Sequence, residues 1–182
     1  MLDELVFVTS NEGKAREASV FLGRPVSARA VDLPEIQAVD FETVVRDKAL
    51  RAAVEVGAAV LVEDSGLYIS AWKGFPGALT KWITQFIDDE ALARMLDSFS
   101  DRRAVAVSAL AVARPGSEDV LVAVGRVAGT IASAPRGTNG FGWDVLFVPD
   151  GESRTFAEMS LEEKNAVSHR ARAFAELRRR LA

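Results

Sequence analysis

Two adjacent acids, Glu63 and Asp64, close an apolar run, and they are the residues of this chain best placed to do chemistry. The run before them, residues 59–62, reads Ala-Val-Leu-Val. It is too apolar for a strand with one solvated face, so it predicts a buried strand whose acids emerge at its C-terminal end before a Ser65-Gly66 turn. Open α/β sheets place their ligand sites at that end. Two carboxylates there must be answered by a cation, a basic side chain or water. The alternative is that they cap a turn, for which Asp and Ser are ordinary residues.

Other groups could join them. Ser10-Asn11-Glu12-Gly13 separates a β-rich run from a helical one that opens at Lys14. A helix N-terminus offers free N–H groups and a positive dipole end to an anion, and Lys14 adds a charge. The Walker A pattern is absent, and a plain capped helix accounts for the same residues. Taken singly, Glu35 after Pro34 is a loop acid and Lys48 a surface lysine.

Residues 135–144, PRGTNGFGWD, form the least core-like segment. A Gly-rich loop can present the rings of Phe141 and Trp143 to a base, with Asp144 as a hydrogen-bond acceptor. A turn before a strand would look the same. Further on, Ser160 and Glu163 make a capping box, and Val167, Ala171, Phe174, Leu177 and Leu181 make one apolar stripe. At about 100° per residue Arg170 falls inside that stripe, while Lys164, Ser168 and His169 lie to one side. An inward arginine needs a carbonyl, a carboxylate or a ligand, and a structural ion pair would serve.

The elements that must position these groups follow the order of an α/β fold. Strands are expected at residues 5–9, 26–31 and 60–62, with helices from Lys14 to Leu22 and from Phe41 to Val56 between them. Residues 67–72 predict another short strand, 77–87 and 88–99 two helices, and 104–113 with 120–131 an antiparallel hairpin. A strand at 145–148 and one helix from the capping box onward complete the list. The hairpin makes the sheet mixed. Trp82, Ile83, Phe86, Leu92, Met95 and Leu96 read as core.

Composition bounds the partners. The 182 residues, 49% of them hydrophobic, suffice for one domain spanning 1–182 with a full core. A net charge of only −4 gives no general attraction to nucleic acid or anionic membrane, so phosphate binding must be local. With no cysteine, disulfides, thiolate nucleophiles and Cys-ligated zinc are excluded. A single histidine excludes a multi-His metal site. The opening MLDELVFV resembles neither a signal peptide nor a membrane span, which predicts a cytoplasmic protein.

Together these segments resemble one family, the inosine triphosphate pyrophosphatases, which hydrolyse deaminated purine nucleoside triphosphates. The resemblance rests on VFVTSNEGKAREA, LPE at 33–35, DKA around Lys48, VEDSGL at 62–67, GFPGALTKW at 74–82, PRGTNGFGWD, and AEMSLEEKNAVSHRARA. It covers nearly the whole chain in order. It implies a mixed α/β protein with a central sheet flanked by helices, two lobes with a substrate cleft between them, a homodimer, and Mg2+ as cofactor. By position, Thr9, Ser10, Asn11, Glu12, Gly13 and Lys14 resemble the triphosphate loop, and Lys48 and Lys164 the phosphate lysines. Glu35, with Glu63 or Asp64, resembles the metal site, Asp64 the general base, and Ser65 a substrate contact beside it. Phe141, Gly142, Trp143 and Asp144, with His169 and Arg170, resemble the pocket that stacks on the purine and reads its 6-oxo edge. Ser10 stands where glycine is frequent, and Lys81-Trp82 replaces an Ala-Arg-Tyr version. A pyrophosphatase of another modified base, or a nucleotide sensor without hydrolysis, is the alternative.

Overall fold

A computed structural model describes residues 5–181. Asp3 and Glu4, part of the opening segment read for targeting, lie outside the described residues. The order is β1 (Val6–Val8), α1 (Glu12–Leu22), β2 (Ser27–Arg29), α2 (Phe41–Val56), β3 (Val60–Ile69), β4 (Pro76–Gly77), α3 (Thr80–Phe86), α4 (Asp89–Arg94), β5 (Arg103–Ala113), β6 (Leu121–Ile131), β7 (Phe147–Pro149), α5 (Leu161–Val167) and α6 (His169–Leu181). Six strands form one sheet in the order β2-β1-β3-β5-β6-β7, and β4 pairs with β3 off that path. β1 is parallel to β2 and β3, whereas β3, β5, β6 and β7 are successively antiparallel. The expected mixed α/β sheet is therefore present, and no helix among the described residues is long and apolar enough to cross a membrane.

β3 is the axis of the fold and corrects the sequence reading. It runs unbroken through Ser65 and Gly66, where a turn was expected, and ends at Ile69. The cause is its neighbour: β5 pairs with it from Val60↔Ala113 to Ile69↔Ala104, so the ladder satisfies the backbone of Glu63-Asp64-Ser65-Gly66. The acids do follow the end of β1, whose last partner on β3 is Val62. They thus stand where the parallel part of the sheet stops, with the strand itself continuing.

Side chains alternate across that strand. Val60 and Val62 pack with Phe41, Val44, Val45 and Ala52 of α2. Leu61 packs with Ala18 of α1 and with Ala173, Phe174 and Leu177 of α6, whereas Leu67 and Ile69 join Trp143, Phe147 and Phe156. Glu63 and Asp64, one residue apart, consequently project from opposite faces.

The C-terminal helix is also interrupted. Ser168 is extended, at φ −73° and ψ 157°, and ends α5. Its Oγ then accepts from Ala171 N in the first turn of α6. This break overturns the uninterrupted wheel on which Lys164, Ser168 and His169 fell to one side: all three are buried together with Arg170. α6 lies close on β6 at Gly125, where a Cβ would stand 2.0 Å from the carbonyl oxygen of His169, so only glycine permits that approach. α4 is shorter than expected, ending at Arg94, and residues 142–145 form a 3-10 turn ahead of β7.

Candidate active site

A cleft of about 380 Å3 opens above the point where β1 stops. Its wall includes Thr9, Ser10, Asn11, Lys14, Glu35, Lys48, Glu63, Asp64, Ser65, Phe141, Gly142, Trp143, Asp144, His169 and Arg170 from the expected set. Glu12, Gly13 and Lys164 from that set do not line it. Glu12 is exposed, and Gly13 acts through contact, since a Cβ there would meet the Phe141 ring at 2.4 Å. Lys164 sits behind the wall, 2% exposed.

At one end the turn after β1 is built by short polar side chains. Asn11 N donates to Thr9 Oγ1 at 3.1 Å, and Asn11 Oδ1 accepts from Lys14 N at 3.0 Å, capping α1. That cap starts the helix two residues earlier than its apolar pattern does. Lys14 Nζ lies 3.5 Å from the carbonyl oxygen of Glu63, and burial lowers its pKa. Asp64 is 7% exposed, and its Oδ2 has no hydrogen-bond partner. Burial pushes its carboxyl above the usual range, with Lys14 and Lys48 pulling the other way. Glu35 accepts from Lys48 at 2.8 Å and faces Lys81 at 3.7 Å. Burial would raise Glu35, yet the two lysines hold it below its ordinary value.

The other end is a buried ionic chain. Arg170 Nε donates to Glu63 Oε1 at 2.8 Å and its Nη1 to Glu17 Oε2. Lys164 Nζ donates to Glu17 Oε1 at 2.8 Å and to Asp144 Oδ2 at 2.6 Å. Three carboxylates thus enclose two cations, all at most 3% exposed. Burial opposes ionisation of Glu17, but Arg170 and Lys164 outweigh it and hold the carboxyl low. Phe141 covers this chain, with its ring centroid 4.9 Å from Lys164 Nζ and 5.3 Å from Arg170 Cζ. His169 is buried with both ring nitrogens unpartnered; burial first, then the charges of Arg170 and Lys164, push its pKa well down. It is neutral at pH 7.

Two expectations change. Trp143 is not a displayed ring: it is 8% exposed and packs against Phe147, Phe156 and His169, with centroids 5.9, 6.5 and 5.2 Å away. Phe141 alone of the pair keeps partial exposure. Among the described residues no three His, Asp or Glu side chains gather as a ready metal set. Glu63 is turned to Arg170 and Ser108, which leaves Asp64 and Glu35 as the carboxylates on the lysine side. Asp64's unpartnered buried oxygen fits a hard cation that brings water and phosphate oxygens as its further ligands.

Sequence reasoning missed Glu17, Lys81, Thr80 and Thr84, of which the last three line the cleft.

The Ham1 family model matches residues 5–180. The inosine triphosphate pyrophosphatase of Aspergillus fumigatus is 44% identical over 177 residues, covering 96% of this chain and 92% of its own. The dITP/XTP pyrophosphatase of Methanopyrus kandleri is 39% identical over 173 residues, covering 93% and 92%. Among solved structures, a Ham1 protein from Coxiella burnetii superposes with a TM-score of 0.82 at 30% identity, covering 98% of both chains. A nucleoside-triphosphatase, dITP/XTP pyrophosphatase, from Mycobacterium abscessus superposes with a TM-score of 0.73 at 36% identity, covering 95% of this chain and 97% of its own. A match over almost every described residue, in sequence and in fold, shows that this chain belongs to the Ham1 family.

Proposed function

We propose that the protein hydrolyses deaminated purine nucleoside triphosphates, ITP, dITP and XTP, to the monophosphate and pyrophosphate. The observation that carries this reading is the buried, unpartnered Asp64 oxygen, with Lys14 and Lys48 about it, in the same cleft as Phe141, His169 and Arg170. Relatives named for these activities, at 44% and 39% identity, support it.

Asp64 accepts a proton from a water as that oxygen attacks the α-phosphorus, and the bond to the β-phosphate oxygen breaks as pyrophosphate leaves. A carboxyl raised by burial is a stronger base than one in water. Lys14, Lys48 and Lys81 stabilise the charge growing on the leaving group. Asp64 and Glu35 would hold Mg2+, which when bound supplies charge neutralisation at the phosphate oxygens. At the other end Phe141 stacks on the purine, and donors of the Arg170 and His169 region meet its 6-oxo group. Adenine would set an N–H2 against those donors and is disfavoured.

In this reading the protein works in the cytoplasm as a homodimer, which light scattering tests. Pyrophosphate release from ITP, dITP, XTP, ATP and GTP with Mg2+ decides the chemistry: fast turnover of the first three and slow turnover of ATP is expected. Comparable rates with ATP would sink the specificity.

A further inference from the structure

Arg170 does not meet Glu63 in the way arginine usually meets a carboxylate. Guanidinium and carboxylate groups commonly share two parallel hydrogen bonds. Here Nε bonds Glu63 Oε1, Nη1 bonds Glu17, and Nη2 has only a long contact of 3.4 Å with Ser65 Oγ. Glu63 Oε2, also buried, has no hydrogen-bond partner. A donor and an acceptor on two directly bonded groups therefore remain unjoined.

Ser108 accounts for this. It is fully buried on β5, opposite Ser65 in the ladder, and its Oγ donates to Glu63 Oε1 at 3.0 Å. Oε1 thus holds both Ser108 and Arg170 Nε, which fixes the plane of the carboxylate and keeps Oε2 from Nη2. We propose that Ser108 is a positioning residue for purine recognition: by fixing Glu63 it leaves Arg170 Nη2 available to an acceptor on the bound ring. The inference rests on the reading of Arg170 as part of the purine end.

Ser108→Ala removes the hydroxyl with no change of backbone or bulk, and frees the carboxylate to rotate into the two-bond arrangement. KM for ITP should rise about tenfold, the worth of one hydrogen bond to a charged group, with kcat within about twofold. ATP, which has no 6-oxo acceptor, should be little affected, so the ITP to ATP ratio of kcat/KM narrows by about the same factor. Ser108→Cys, close in size with a weaker donor, should fall between. Equal losses on ITP and ATP, an unchanged KM for ITP, or Ser108→Cys falling below Ser108→Ala would overturn the proposal. Calorimetric binding of ITP separates the two readings. A wild type that binds ITP without hydrolysing it defeats the hydrolase reading, whereas Ser108→Ala with unchanged ITP affinity defeats this one.

Discussion

The two ends of the cleft handle buried charge in opposite ways. Around Arg170 and Lys164 each cation is held between two carboxylates. Around Asp64 a carboxylate is left with an oxygen that nothing bonds. The paired end is built in advance and gives its rigidity to recognition. The unpaired end carries a standing cost, and that cost makes Asp64 basic enough to take a proton. At the recognition end the unbonded atoms, Glu63 Oε2 and the His169 ring nitrogens, sit beside cations already paired; at the other the unbonded atom belongs to the carboxylate that does the chemistry.

Asp64→Asn would break the contrast most sharply. Loss of a general base predicts a fall in kcat of about 10^3-fold, with ITP binding largely retained. The variant should also melt higher than wild type. Asp64 has a raised folded pKa, so its contribution to stability is present below its unfolded value and lost as pH rises through the folded one. At pH 7 the native protein bears that loss and the amide does not. Kinetics and thermal melts check both; near wild-type hydrolysis would refute the base assignment.

Glu17→Ala tests the paired end and should do the reverse. It leaves Lys164 and Arg170 each short of a carboxylate, and breaking such a buried pair costs about 3–5 kcal/mol. For a chain of this size the melting temperature should drop by roughly 10 °C. A melt within a degree or two of wild type would show that the chain tolerates an open link.

Acidity sets the two ends apart again. Glu17 is held below its ordinary value of 4.5, so its stabilisation is present above that value and lost as pH falls through the folded pKa. An ionised Asp64 is needed both to take a proton and to hold a cation, so activity should fall as pH drops through its raised pKa. A pH–rate profile beside a pH–stability curve separates the two losses. Coincident limbs would mean that unfolding, not protonation of the base, ends activity.

The smallest effect belongs to Lys81→Ala. This side chain is 66% exposed and meets Glu35 only at 3.7 Å, so stability should not change. KM for the triphosphate should rise about three- to tenfold if Lys81 contacts phosphate. An unchanged KM would confine the phosphate lysines to Lys14 and Lys48.

Much of this was legible along the chain, and the failures share a cause. Helix α2 falls on the expected residues because Asp40 caps its start and Gly57, left-handed at φ 70°, ends it, both local signals. β3 was read as a strand, a turn and a strand because Asp-Ser-Gly favours turns locally, whereas its ladder with β5 is set by residues 35 to 53 positions away, from Ile69↔Ala104 to Val60↔Ala113. The break at Ser168 carries neither Gly nor Pro, and its one local mark is the serine itself, which caps α6. Once the wheel is assumed continuous, Lys164 and His169 go to the wrong side. Glu17 was passed over for a related reason: an acid at a buried position makes sense only beside Arg170, 153 residues later.

The alternation of β3 has a consequence for how such a protein can change. Glu63 and Asp64 are neighbours on the chain but answer to opposite sides of the sheet. Substitution at Glu63 bears on the nucleobase end and substitution at Asp64 on hydrolysis, whereas Leu61, Leu67 and Ile69 on one face and Val60 and Val62 on the other are held by the core. A one-residue insertion ahead of Glu63 would exchange the two tasks at a stroke and ruin both.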